Sequence, residues 1–255
     1  MTDAMAQAGR DQRGYRAKLA VLGPSTNTIV QPDMDDLRVP GVTGHYARIF
    51  VENRAVADNA GFKALTDAIT LSVDEAVTSV LTCQPDHIVM GMSAITFYGG
   101  VAGAEAFRAR IAGISGLGVS TGAIATAAAL QRFGARRIAF LSPYFPDANA
   151  EVRGFFTESG FAVGRDVCLQ CPSPLAIAGV PPDRLRGVLA ELDGPDVDAI
   201  IQVGTNLSML DLCAAAEPVL GKPVISINAA TWWHGLRAVG VADKVSGKGR
   251  LLEEF

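Results

Sequence analysis

Four clusters of small polar side chains stand where a sequence could do chemistry. They are Pro24, Ser25, Thr26, Asn27 and Thr28; Met92 and Ser93 with Thr96 and Tyr98 further on; Ser142 and Tyr144; and Thr205, Asn206 and Ser208. Each follows a short apolar run, and each precedes the start of a helical pattern. Unpaired N–H groups and the helix dipole favour negative charge at such places. The same residues also suit another task, since Ser25, Thr205 and Ser208 are good helix N-caps. Four such clusters at four strand ends imply a polar, uncharged pocket for a small carboxylate.

The elements that must position these residues alternate strand and helix. Strands are expected at Lys18–Leu22, Thr43–Val51, His87–Gly91, Gly118–Ser120, Arg137–Leu141, Ala199–Val203 and Val224–Ile227. Helices are expected at Phe62–Thr82, Glu105–Ile114, Gly122–Phe133, Asp147–Ser159, Pro182–Leu192, Leu210–Leu220 and Ala229–Val239. The first of these has Leu65, Ile69, Val73, Val77 and Val80 at helical spacing. Alternation of this kind gives an α/β fold with mostly parallel sheets flanked by helices. The run KLAVL before GPSTNT is echoed by RIAFL before SPYFPDAN, and a glycine-ended strand follows in each case. The echo implies two pseudo-symmetric Rossmann-like halves, residues 17–120 with 227–255 and residues 121–226, after a flexible leader over residues 1–16. Ligands of parallel sheets sit beyond the carboxyl ends of strands, so the two glycine-ended strands would face one another across a cleft.

Composition narrows the class. The 255 residues are 49% hydrophobic and 19% charged, enough for a sizeable buried core. A net charge of -4 argues against a nucleic-acid partner. No apolar run reaches the roughly 18 residues of a membrane span, and the N-terminus lacks the apolar region of a signal peptide. The expected compartment is the cytoplasm, where Cys83, Cys168, Cys171 and Cys213 stay reduced. CLQC at Cys168–Cys171 falls in a stretch expected to be irregular, with no helix to activate a thiol, and is read as structural. Cys83 and Cys213 are read as small core residues. The three histidines show no metal-ligand spacing, and the chain has no P-loop, no GxGxxG after a strand and no GxSxG elbow. No metal and no cofactor is expected.

Several motifs resemble the Asp/Glu racemase superfamily, in the branch of maleate cis–trans isomerases and arylmalonate decarboxylases. PSTN at Pro24–Asn27 resembles a PSSN turn of the isomerases. MGMSAITFYGG is similar to MGTSLSFYRG of the decarboxylases, RIAFLSPYFPDAN resembles the strand and tyrosine turn of both, and GKGRLL resembles a GxGRL ending. The resemblance implies two Rossmann-like halves, a site between them, no cofactor, and cysteines that work at a carbon next to a carboxylate. Carried over residue by residue, Pro24, Ser25 and Asn27 match the first turn, Ser93 a cradle serine and Tyr144 a carboxylate-binding tyrosine. The family's first cysteine falls at or beside Met92 and its second at Gly204, with Thr205 and Asn206 just after it. Neither methionine nor glycine can move a proton.

Substitutes are few. Thr205 could orient a water or a proton. His234, in TWWHGLR, is the only histidine near the expected cleft and titrates near neutrality, although a packed residue beside two tryptophans is the competing reading. Tyr98 could act as an acid or only bind substrate. Trp232 and Trp233 could line the pocket or fill the interface between halves. The expected function is a lyase or isomerase of a small mono- or dicarboxylic acid that works without the family cysteine pair. Decarboxylation is the easier chemistry, because an apolar pocket beside one carboxylate drives charge onto carbon. A hydrolase using a bound water and a carboxylate-binding pseudoenzyme are the alternatives. Beyond the small carboxylate no partner is required, and assembly as a homo-oligomer stays open.

Overall fold

The computed structural model describes residues 11–255. Eight strands and nine α-helices are defined among them. The first sheet contains β1 (Ala17–Pro24), β2 (Val42–Ile49), β3 (His87–Met90) and β4 (Val119–Ser120), in the order β2-β1-β3-β4. The second contains β5 (Arg137–Ser142), β6 (Ala162–Cys168), β7 (Ala199–Gln202) and β8 (Val224–Ser226), in the order β6-β5-β7-β8. Every pairing is parallel. The echo between KLAVL and RIAFL is therefore the likeness of β1 and β5, which hold the same place in the two sheets.

Burial explains which strands the sequence announces. β3 and β7 are buried at every residue, and β1 is buried along most of its length. Strands covered on both faces read as continuous apolar runs. β6 is an edge strand in which no residue is buried. Its sequence AVGRDVC has no apolar run, so it is not expected from pattern; pairing with β5 makes it a strand. Arg165 reaches Asp196 from this edge, and Asp166 on the same strand pairs with Arg153.

Helix α1 (Val30–Asp36), VQPDMDD, is likewise unannounced, being short and acidic. Helix α2 (Asn59–Leu81) is capped by Asp58, whose carboxylate accepts from Gly61 N at 2.8 Å, and buries Phe62, Leu65, Ile69, Val73 and Val77 on one face. Helices α3 (Gly100–Ser115) and α4 (Gly122–Arg132) complete the cover of the first sheet. The helices α5 (Pro146–Glu158), α6 (Pro182–Leu192) and α7 (Leu210–Leu220) accompany the second. Phe97, at the foot of α3, packs edge-on to Phe155 of α5 with centroids 5.4 Å apart. Glu151 and Glu158 of α5 accept from Gly99 N and Val101 N at 2.9 and 2.8 Å. The core runs without a break through residues of both sheets.

The chain then crosses back. Helix α8 (Ile227–Ala238) follows β8 directly and packs on the first sheet, where a Cβ at Gly235 would lie 2.8 Å from Val89 Cγ2. Trp232 is fully buried and its Nε1 donates to Leu37 O at 3.0 Å. The short helix α9 (Arg250–Glu254) ends the chain. Of the leader expected over residues 1–16, residues 1–10 lie outside the described residues. Arg16 is paired with Asp243, with Nη1 and Oδ1 2.7 Å apart. Trp232→Ala is expected to lower stability by about 3–5 kcal/mol, read by urea unfolding, because it empties a packed site and orphans the Leu37 carbonyl.

Candidate active site

In both sheets the strand order reverses direction beside the first strand, between β1 and β3 and between β5 and β7. These are the places where parallel sheets leave a crevice at their carboxyl ends. The two crevices face each other. The cleft between them is partly open to solvent and holds a cavity of about 80 Å³. Pro24, Thr26 and Asn27 line it from the end of β1, Met92, Ser93 and Ala94 from β3, Pro143 and Tyr144 from β5, and Gly204, Thr205 and Asn206 from β7. Cys171, Ser173, Pro174 and Ile177 close one side, and Val51, Val56, Phe62, Leu65, Thr66 and Ile69 close another.

Hydrogen bonds across the interface fix the polar end. Asn27 Oδ1 accepts from Ile29 N and Val30 N, at 3.0 and 2.9 Å, so this side chain is set by the start of α1. Its Nδ2 then donates to Thr205 Oγ1 at 3.0 Å. Asn206 Oδ1 accepts from Thr28 N at 2.9 Å while Asn206 Nδ2 donates to Pro174 O at 2.9 Å. Ser93 Oγ lies 2.6 Å from Tyr144 Oη and accepts from Thr205 N at 3.3 Å. Asn228, at the start of α8, donates from Nδ2 to Thr205 O at 3.0 Å. All of these side chains are buried.

Proton counting shows what is left over. Ser93 and Tyr144 have two hydroxyl hydrogens and share one between them, so one remains to donate. Thr205 Oγ1 accepts from Asn27 and keeps its own hydrogen. Burial pushes the Tyr144 hydroxyl above the ordinary tyrosine range, against the opposing pull of its bond to Ser93, so it stays neutral. Among the described residues no charged side chain lines the cleft. The site thus offers neutral donors at one end and an apolar wall at the other.

Pro24, Asn27, Met92, Ser93, Tyr144, Gly204, Thr205 and Asn206 are brought together as the sequence suggests. Ser25 is not among them. Its hydroxyl pairs with Val51, donating to the carbonyl at 3.1 Å and accepting from the N–H at 2.9 Å, which staples the turn to the end of β2. Tyr98 stands behind the wall, with its hydroxyl 3.4 Å from Thr66 Oγ1. Burial raises it too.

His234 is placed elsewhere. Its Nδ1 lies 2.6 Å from Ser120 Oγ, which lies 2.8 Å from His87 Nε2, so it faces β3 and β4 rather than the cleft. Burial lowers both imidazoles, His87 to about 4. Helical position did not tell which face of α8 carries the histidine. Trp232 and Trp233 do not line the cleft either.

Cys171 is the residue the sequence reading passed over. Because β6 is not expected from pattern, CLQC is not recognisable as a strand end, and its second thiol belongs to the cleft wall. Burial pushes this thiol up to about 11, so it is protonated at neutral pH. Cys213 is fully buried in α7 and is pushed higher still. The α2 wall was also missed as part of the site, since Phe62, Leu65 and Ile69 are at once core residues of that helix and lining. Among the described residues no group of three or more His, Cys, Asp or Glu is placed to hold a metal ion, and no helix is long and apolar enough to cross a membrane.

An α/β protein with twin parallel sheets and an uncharged cleft between their strand ends has clear relatives. The sequence profile of arylmalonate decarboxylase matches residues 54–252, and the chain belongs to that family. A maleate isomerase of Pseudomonas putida is 26% identical over 245 residues, covering 92% of this chain and 96% of its own. The arylmalonate decarboxylase of Bordetella bronchiseptica is 27% identical over 215 residues, covering 82% and 90%. These homologues are enzymes. Among solved structures, Nocardia farcinica maleate cis–trans isomerase, in a cysteine-to-serine variant with a covalently bound succinylcysteine intermediate, superposes with a TM-score of 0.84 at 21% identity, covering 94% of this chain and 99% of that one. A liganded variant of arylmalonate decarboxylase gives 0.79 at 23% identity, covering 94% and 100%. At these identities the likeness is one of fold.

Gly204 makes a sharp test of the site's backbone. Its φ is +106°, and a Cβ there would stand 2.6 Å from Pro143 Cγ and nearer still to Cδ. Gly154, inside α5, would place a Cβ in open space. Gly204→Ala is expected to lower stability by about 1–3 kcal/mol, and Gly154→Ala to raise it by about 0.5–1 kcal/mol. Thermal unfolding of the two variants checks the opposite signs.

Proposed function

We propose that this protein is a cofactor-independent lyase that decarboxylates a small carboxylic acid bearing an apolar group, with the cleft between the two sheets as its active site. The observation that carries this reading is that, among the described residues, the lining of the cleft is made only of uncharged side chains. One substrate carboxylate is held at the polar end by the free hydroxyl hydrogen of the Ser93–Tyr144 pair and by Thr205, with Asn27 and Asn206 keeping the Thr205 turn in place. A second carboxylate on the same carbon then faces Val51, Phe62, Leu65 and Ile69 with no partner. Burying a carboxylate without compensation is costly, and loss of CO₂ removes that cost at the moment the charge moves onto carbon. An isomerase of a dicarboxylate would have to hold both charges through the reaction, which an uncharged cleft supports poorly.

The carbanion needs a proton. The resemblance puts the family's cysteine pair at or beside Met92 and at Gly204, and the close approach of Pro143 leaves no room for a side chain at 204. The neutral hydroxyl and thiol groups of the wall are those of Cys171, Tyr144, Ser93, Thr205, Thr26, Thr66 and Ser173. A thiol held protonated by burial suits donation rather than nucleophilic attack. His234 is not assigned a role, since its imidazole meets Ser120 and does not line the cleft.

Phenylmalonate, maleate and amino acids in deuterated water test the proposal. The expected outcome is CO₂ release from phenylmalonate with one deuterium on the product's α-carbon. Thermal stabilisation by these acids without turnover or deuterium uptake would instead establish a carboxylate binder. Tyr144→Phe and Ser93→Ala are each expected to weaken phenylmalonate binding about tenfold, the worth of one hydrogen bond to a charged group. Unchanged affinity in both would sink the cradle. Single-turnover rates of Cys171→Ala decide the donor: a large drop in rate with binding retained assigns the proton to the thiol.

A further inference from the structure

Asn228 connects the candidate site to an acid outside it. Its Nδ2 donates to two acceptors, Thr205 O at 3.0 Å and Asp33 Oδ2 at 2.7 Å. Since both partners accept, the amide orientation is fixed and its Oδ1 is left over. That oxygen is buried and has no hydrogen-bond partner among the described residues. A buried amide oxygen without a donor is costly. An ionised Asp33 cannot supply a donor, but a protonated one can. Hinged at the same amide, its O–H can return to Asn228 Oδ1 and close the eight-membered ring of an acid–amide pair.

We propose that Asp33 is a positioning residue whose protonated form pairs with both ends of the Asn228 amide and thereby holds the Thr205 carbonyl and the Gly204–Asn206 turn in place. The claim that this turn matters for ligand binding rests on the function proposed above; the pairing itself does not. The surroundings favour the proton. Desolvation is the largest influence on Asp33 and raises its carboxyl to about 6, with Asp211 of α7 and Asp36 of α1 adding repulsion. Tyr46 of β2 and Cys213 of α7 also face it, and both stay uncharged near neutral pH. The cation on this face, Lys248, is committed elsewhere, 2.8 Å from Asp211 and 3.6 Å from Asp36. The bond from Asn228 favours the ionised form and opposes the shift without cancelling it. Because the folded protein holds this proton more tightly than an ordinary carboxyl, the pairing is complete at low pH and is lost as pH rises through about 6.

Two measurements on the whole chain test this. In protein labelled with ¹³C at aspartate carboxyls, the Asp33 signal, assigned by its loss in Asp33→Asn, is expected to titrate with a midpoint near 6. The Asn228 side-chain amide, assigned by its loss in Asn228→Ser, is expected to shift with the same midpoint. A carboxyl that titrates in the ordinary carboxylate range, or an Asn228 amide that does not move with it, overturns the pairing. The second measurement is the affinity for phenylacetate, an unreactive monocarboxylate, from about pH 5 to about pH 8. Asp33→Asn supplies an uncharged donor and acceptor at every pH. Its affinity is expected to match the wild type at low pH and to exceed it severalfold at high pH, and the ratio of the two cancels ionisation of the ligand itself. Asp33→Ala, which supplies neither, is expected to bind weakly throughout. Parallel profiles for wild type and Asp33→Asn overturn the positioning role. If phenylacetate binds neither protein, the proposed function fails, while the carboxyl titration still judges the pairing on its own.

Discussion

Asn27 reaches from the end of β1 to Thr205 at the end of β7, and Ser93 from the end of β3 to Tyr144 at the end of β5. These two contacts join the carboxyl ends of two separate sheets. They are possible because both sheets have the same parallel strand order and so open at the same relative place. Take away that facing arrangement and each turn is only a strand end with a good helix cap. With it, Asn27 and Ser93 from the first sheet are held by Thr205 and Tyr144 from the second, and the hydroxyls that keep a hydrogen to donate line the same cleft.

The polar end and the apolar wall depend on each other. Buried hydroxyls and amides are tolerated because nearly all are paired, and the pairs leave the cleft uncharged. An uncharged cleft gives no counter-ion to a bound acid, so the placement of a carboxylate against hydroxyls or against hydrocarbon has large energetic consequences. The same low polarity keeps Tyr144 and Cys171 in their protonated forms. The decarboxylation proposed above would depend on neutral donors and on desolvation rather than on an ionised nucleophile.

Connections across the chain keep the turns where they are. Helix α8 leaves the second sheet, buries Trp232 against the first, and on the way places Asn228 under the Thr205 carbonyl. Cys171 N and Gln170 N donate to the carbonyls of Pro143 and Tyr144, so the segment after β6 is tied to the turn after β5. Gly204 accepts the close approach of Pro143 that this packing requires. The base of the cleft is therefore tied together by α8, by the segment after β6 and by the turns after β5 and β7.

Much of this was legible in the residues. Strands buried on both faces, such as HIVM in β3 and AIIQ in β7, carry their own signature, and the polar residues after them mark the crevice that parallel sheets leave. Those signals come from local pattern, because burial of a strand's two faces is written in its own sequence. Edge strand β6 is different: half its environment is solvent, its pattern is blurred, and only the ladder with β5 makes it a strand. With β6 went Cys171, which local pattern could not bring to a strand end. His234 shows the opposite case, a residue of suggestive type whose helix face is chosen by packing on β3 and β4 and whose imidazole therefore meets Ser120 instead of the cleft. The sequence by itself determined the fold class and the polar turns. The tertiary structure alone decided which thiol and which apolar helix face belong to the site, because those depend on contacts between residues far apart in the chain.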